Sequence, residues 1–235
     1  MLRAIIFDLD DTLISAYSNP GAAWAAIAAE FADDLHPHDP ETIAVIVAEG
    51  AAGFLGDDEN RRRWRLDAIA TRREVVRAAV RDHDVPDAVA DDMADRYATY
   101  RDENMHLFEG ALHVLDALHA NGLKLGLLTN GAALVQRKKI ERFELTARFD
   151  AVAIEEDAGF GKPDERAYRA ILSALDVDPE DAAMVGDDLP GDIEASQRLG
   201  LTGIWHDRDR RGLSPNAAVQ PDHTIVALNE LLSLI

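Results

Sequence analysis

The stretch Arg3-Ala4-Ile5-Ile6-Phe7-Asp8-Leu9-Asp10-Asp11-Thr12 runs from an apolar segment straight into a knot of acids. A strand with one face open to water alternates apolar and polar residues, whereas one covered on both faces reads as a continuous apolar run. Arg3 to Leu9 is therefore read as a short buried strand, and Asp8 and Asp10 fall at its carboxyl end. Farther along, strand-like and helix-like segments alternate. Helix Ala111–Ala120, strand Lys124–Leu128, helix Ala133–Arg142, strand Ala151–Ile154, helix Glu165–Leu175, strand Ala183–Val185 and helix Asp192–Leu199 lead to short strands near Ile204 and Ile225. This alternation predicts the α/β class: a doubly wound parallel sheet with helices on both faces.

Between these parts lies a different texture. From about Gly21 to Glu103 the chain is alanine-rich and charged, with helical segments over Ala22–Ala32, Pro40–Gly53, Glu59–Asp82 and Asp87–Tyr100. The expected organisation is a core of residues 1–17 and 106–235 interrupted by an all-helical domain of residues 18–105.

Open parallel sheets place ligands at the carboxyl ends of their strands. There the sequence puts Asp8 and Asp10, then Thr129 and Asn130 after Leu125-Gly126-Leu127-Leu128, then Asp187 and Asp188 after Met184-Val185-Gly186. Carboxylates that converge resist ionisation together, and a hard divalent cation resolves the conflict. Asp8, a main-chain carbonyl and Asp187 match the all-oxygen preference of Mg²⁺. With no cysteine in the chain, disulfides, thiolate nucleophiles and sulfur-held zinc are excluded. His106, His113, His119 and His223 lack metal-ligand spacing and are read as ordinary polar residues.

Four segments resemble, in order, the motifs of the haloacid dehalogenase-like (HAD) hydrolases: Asp8-Leu9-Asp10-Asp11-Thr12, Leu127-Leu128-Thr129-Asn130-Gly131, Gly161-Lys162-Pro163 and Val185-Gly186-Asp187-Asp188-Leu189-Pro190-Gly191-Asp192-Ile193. The resemblance covers essentially the whole chain and implies a Rossmann-like core with the helical insertion as a cap. It implies that Asp8 attacks phosphorus to give an aspartyl-phosphate. Asp10 then protonates the leaving alkoxide and later deprotonates water, while its carbonyl binds the metal. Thr129, Asn130 and Lys162 hold the phosphoryl oxygens. Asp187 is the expected direct ligand of Mg²⁺ beside Asp8, with Thr12, Asp188 and Asp192 in support, the latter two through water or by holding Lys162.

The dehalogenases of the family lack an acid at the position of Asp10, so Asp10 argues for phosphate over halide. Phosphonate-cleaving relatives use a cap lysine, and no lysine precedes Lys124 here. Gln136-Arg137-Lys138-Lys139-Ile140-Glu141 after Thr129-Asn130-Gly131, and the ending from Gly203 to Ile225, look like the nucleotide and acylneuraminate phosphatases. The implied substrate is a small phosphate ester, either a nucleotide or a sugar phosphate. A phosphomutase of the same fold and a phosphoacceptor receiver-type signalling module are the alternatives. Receivers, however, are shorter, uncapped and phosphorylated after an internal strand.

Within the insertion, Arg61, Arg65 and Arg72 would share roughly 40° of arc if residues 59–82 form one helix, and ion pairing with neighbouring acids is the expected use of such a stripe. Tyr17, Ser18 and Asn19 suit either substrate contact or a linker. Trp24 and Trp64 are expected in the core.

The charge of -20, with Asp+Glu 44 against Lys+Arg 24 and only four lysines, resembles the surfaces of proteins from salt-loving organisms. Such a surface repels nucleic acid and anionic membrane. No apolar run reaches membrane-helix length, and Asp8 interrupts the opening run too early for a signal peptide, so the expected setting is cytoplasmic, as monomer or homodimer. At ~1 M salt the screening length falls to about 3 Å and surface repulsion fades. Molar KCl should therefore raise the melting temperature in scanning calorimetry; an unchanged or lowered value would refute the halophilic reading.

Overall fold

The computed structural model describes residues 2–17, 19–215 and 217–235. Ser18 thus lies outside the described residues. Along the chain, β1 (Ala4–Phe7) and β2 (Ile14–Ser15) precede five helices: α1 (Pro20–Glu30), α2 (Pro40–Phe54), α3 (Asp58–Leu66), α4 (Ala68–Val80) and α5 (Asp87–Asn104). Next come β3 (His106–Leu107), α6 (Ala111–Ala120), β4 (Lys124–Thr129), α7 (Ala133–Arg142), β5 (Ala151–Ile154), α8 (Glu155–Ala158) and α9 (Glu165–Leu175). The chain closes with β6 (Ala182–Gly186), α10 (Ala195–Gln197), β7 (Thr202–His206) and β8 (His223–Ile225). It separates into two compact units, Met1–Ser15 with His106–Ile235, and Ala16–Met105.

The first unit is built on a six-stranded sheet in the order β5-β4-β1-β6-β7-β8, parallel at every pairing. β1 is interior, with Phe7 level with Leu127 of β4 on one side and Val185 of β6 on the other. All four residues of β1 are buried, as its unbroken apolar run requires. The strand order turns back across β1, so the polar residues following β1, β4 and β6 emerge side by side, as expected for a ligand site at a topological switch point. On one sheet face, Ile6, Leu128 and Met184 form a core with Tyr168, Ile171, Leu172 and Leu175 of α9. α9 is apolar on one side and charged on the other, which fixes that docking.

The second unit has its own core, in which Trp24, Ile27, Ile43, Val47, Val76, Met93 and Tyr97 meet. Trp24 stacks on Tyr97 at 4.3 Å, and Trp64 is buried with Ala51 and Val75. Asn19 caps α1 by accepting from the Ala22 N–H at 3.0 Å. Among the described residues, no helix is long and apolar enough to cross a membrane.

Two expected helices differ. Residues 59–82 do not form one rod: α3 ends at Leu66 and α4 starts at Ala68, because Asp67 leaves helical geometry at φ -121° and ψ 60°. Arg61 and Arg72 therefore lie on separate helices and share no stripe; Arg61 pairs with Asp58, and Arg72 is buried. The expected helix Asp192–Leu199 is replaced by a wide π-type turn over Leu189–Glu194 that leads into α10. Asp188 accepts from the Gly191 N–H at 3.1 Å, and Asp192 turns its carboxylate inward to accept from the Asp188 N–H at 3.1 Å. Helical periodicity yields here to the burial of a polar residue, a common origin of such turns at functional sites.

Gly186 ends β6 against that carboxylate, and a Cβ there would collide with Asp192. Gly186→Ala should lower the unfolding free energy by about 2 kcal/mol in urea titrations, because the backbone or Asp192 must shift.

Candidate active site

Lys162 is the buried cation around which the strand-end acids gather. Its Nζ donates to Asp8 Oδ1 at 2.5 Å and to Asp192 Oδ1 at 2.6 Å. All three residues are more than nine-tenths buried. Asp8 is placed by the sheet itself, since its N–H continues the ladder to the Val185 carbonyl at 2.9 Å. Lys162 is placed by Asn130, whose Nδ2 donates to the Lys162 carbonyl at 2.7 Å and whose Oδ1 accepts from the Lys162 N–H at 2.8 Å. The amide expected to face a phosphoryl group is thus engaged in both directions with the loop that carries the lysine. Gly161 is required for this approach, because a Cβ would strike Asn130 and Glu155.

Burial raises the Asp8 carboxyl to about 7; Lys162 opposes the rise, and Asp192 and Asp10 add to it. Burial also raises Asp192, again against Lys162. Lys162 itself is pulled down by burial, yet Asp192 and Asp8 outweigh that and leave it above the ordinary lysine value. Asp187 stands well above the usual carboxylate range, through burial and then the charges of Asp8, Asp192, Asp11 and Asp188. Its side chain keeps contact with solvent, so the neighbouring charges are the firmer cause of that rise.

Asp8, Asp187 and Asp192 each place a carboxylate oxygen within 4.8 Å of the others. One lysine among three carboxylates leaves two negative charges, the complement of a divalent cation. Hard oxygen donors suit Mg²⁺, and the upward pKa shifts are the cost that such an ion would remove. Thr12 Oγ1 lies 3.5 Å from Asp187 Oδ1, and the Trp205 indole N–H donates to the Asp187 carbonyl at 3.0 Å.

Asp10 sits on the adjoining turn, where Asp11 adopts left-handed geometry at φ 61°. Its carboxylate points to α7: Lys139 Nζ donates to Oδ1 at 2.8 Å and to Oδ2 at 2.7 Å, and Gln136 Nε2 to Oδ2 at 3.2 Å. The same Gln136 amide donates to Thr129 Oγ1 at 2.5 Å. With that lone pair used, the Thr129 proton is available to another acceptor.

Lys139 and Gln136 carry no site role in the sequence reading, which quotes them only within a resembling segment. A signal exists in the sequence: two long polar side chains stand three residues apart on the helix after Thr129-Asn130, and one of them belongs to the four lysines. Glu155 is also structural to the site, accepting from the Gly131 N–H at 2.9 Å, while Glu156 accepts from the Ala133 N–H at 2.7 Å at the start of α7. Tyr168 donates its hydroxyl to the Gly191 carbonyl and so ties α9 to the Asp192 turn. Asp188 shapes that turn.

A family model described as haloacid dehalogenase-like hydrolase matches residues 2–200. The chain belongs to this family. A phosphoserine phosphatase of Thermus thermophilus is 34% identical over 172 residues, covering 71% of this chain and 68% of that protein. A ribulose-1,5-bisphosphate 5-phosphatase of Halopiger xanaduensis is 31% identical over 249 residues, the full length of both. The magnesium-bound crystal structure of the HAD-hydrolase YfnB of Bacillus subtilis superposes with a TM-score of 0.76 at 22% identity, covering 99% and 98% of the two chains. This HAD chain therefore shares the family's fold along its length.

Removing the central cation leaves buried carboxylates facing each other. Lys162→Met should reduce the unfolding free energy of metal-free protein by about 3 kcal/mol, read from the urea midpoint, because breaking a buried pair costs more than the pair contributes.

Proposed function

We propose that this HAD hydrolase is a Mg²⁺-dependent phosphatase of small phosphomonoesters that works through a phosphorylated Asp8. The observation that carries this reading is Lys162 held between Asp8 and Asp192 with Asp187 beside them, a fixed cation and a dication-sized charge deficit around one carboxylate. The names of the two curated relatives, both phosphatases of small esters, support it.

Asp8 attacks phosphorus, and the ester oxygen departs with a proton from Asp10, leaving an aspartyl-phosphate. Water then attacks that phosphorus while Asp10 takes its proton, releasing phosphate and restoring Asp8. Lys162 and the Thr129 hydroxyl stabilise the oxygens on which negative charge accumulates. Lys139 and Gln136 present the partners of an anion to Asp10, which suits the water-activating half of the cycle. Asn130 positions Lys162. Asp8, Asp187 and the Asp10 carbonyl would hold Mg²⁺, with Asp192 close by, and the ion supplies charge neutralisation that lets Asp8 meet an anionic substrate.

The helical unit is proposed as the cap that selects the alcohol portion of the ester. Phosphoserine and ribulose-1,5-bisphosphate, named for the relatives, are small esters whose non-transferred part carries a further anionic group. Nucleotides and sugar phosphates remain the wider class to screen.

Wild-type protein in molar KCl should release phosphate from a panel of such esters only with Mg²⁺, and Asp8→Asn should reduce turnover at least ~1000-fold through loss of the nucleophile. Full turnover by that variant would overturn the mechanism. Without substrate, Mg²⁺ should raise the melting temperature, and Asp187→Asn should remove most of that rise. Isomerisation of a sugar phosphate without phosphate release would favour a mutase.

A further inference from the structure

The cycle proposed above uses neither of the two residues that end β7. Trp205 lies level with Gly186 of β6, and His206 follows it, level with Ile225 of β8. Both are more than nine-tenths buried. Successive side chains on a strand point to opposite faces, so the two act from opposite sides of the sheet. The Trp205 indole N–H is a donor with no acceptor beside it on the ring, and it is spent on the Asp187 carbonyl at 3.0 Å.

His206 donates to the Thr12 carbonyl. Burial and then the charge of Arg208 lower its pKa, which keeps the ring neutral at about pH 7, with a single N–H. Nδ1 is buried and has no partner among the described residues, so the proton sits on Nε2, and Nε2 makes the bond. β7 and β1 are not neighbours, because β6 lies between them. The imidazole therefore crosses the end of β6 to hold the turn that follows β1. Thr12, itself fully buried, sits in that turn with its Oγ1 3.5 Å from Asp187 Oδ1. A buried ring nitrogen without a donor is costly. An apolar residue against the edge of Phe108, whose ring centre is 6.0 Å away, would avoid that cost but would release Thr12.

We propose that Trp205 and His206 are positioning residues of the Mg²⁺ site: the indole fixes Asp187, the imidazole fixes the Thr12 turn, and together they hold the carboxylates rigidly enough to favour Mg²⁺ over Ca²⁺. Mg²⁺ demands near-ideal octahedral geometry, whereas Ca²⁺ accepts more ligands in a looser arrangement. Groups that orient metal-binding side chains typically account for ~10–100-fold of a site's affinity. A site released from this clasp therefore loses Mg²⁺ before it loses Ca²⁺. The proposal rests on the Mg²⁺ reading of the carboxylate cluster, which wild-type protein tests by itself.

The probes are Mg²⁺ and Ca²⁺, each titrated calorimetrically into metal-free protein in molar KCl without substrate. Trp205→Phe keeps an aromatic ring and loses the donor; it should weaken Mg²⁺ binding about tenfold and Ca²⁺ binding much less. His206→Leu should do the same. His206→Gln, whose side-chain amide can supply an N–H in place of Nε2, should recover most of that loss. If the leucine variant does not fold, Trp205→Phe decides through the same ratio of the two affinities. An unchanged Mg²⁺ affinity, an equal loss for both ions, or no recovery in His206→Gln would overturn the proposal, since damage to the fold alone does not discriminate between the ions. Wild type that binds Mg²⁺ while the variants match it refutes only this positioning role. Wild type that binds neither ion refutes the Mg²⁺ reading, and the positioning role with it.

Discussion

The carboxyl end of the sheet is organised around one buried ammonium group. Lys162 lies within hydrogen-bond distance of Asp8 and Asp192, two carboxylates whose pKa burial raises and the lysine lowers. Its loop is in turn stapled by Asn130 from the neighbouring strand end. Asp8, the wide turn after β6 and the loop before α9 are thus joined through a single charge. A displacement of any of them would leave a buried ion without its counterpart, which is the penalty that keeps the site in register.

A further layer of polar side chains surrounds these groups. Gln136 and Lys139 orient Asp10 and Thr129, Glu155 holds the turn at Gly131, and Tyr168 ties α9 to Gly191. Each of these side chains comes from a helix rather than from a free loop. Groups supported in this way keep the short distances that general acid–base chemistry requires.

Much of this was legible in the order of residues. β1, β4 and β6 are short apolar runs that end in acids or Thr-Asn, so both the parallel sheet and the gathering of polar side chains at its carboxyl edge follow from pattern. What pattern does not carry is the direction in which a polar side chain points. Asn130 looks the same in sequence whether it meets a substrate or clamps Lys162, and Lys139 looks like a surface lysine until α7 is seen to face Asp10. Asp192 reads as the first residue of a helix, yet its burial against Gly186 forces a wider turn. Asp67 breaks an otherwise continuous helical segment, and with it the apparent arginine stripe. These are tertiary demands that local propensity cannot register.

The small ribbon of β2 and β3 sets how the chain leaves the sheet-bearing unit and comes back. Ile14 lies opposite Leu107, Ser15 lies opposite His106, and the Phe108 N–H donates to the Leu13 carbonyl at 3.0 Å. The two ends of residues 16–105 are therefore held a strand spacing apart, whatever lies between them. For a loop closed in this way the entropic cost grows only logarithmically, about 0.6 kcal/mol for each doubling of length. The parallel sheet is thus nearly indifferent to the size of what is inserted, so helices there can be exchanged, lengthened or re-lined in the course of evolution while the sheet and its strand-end residues are inherited unchanged.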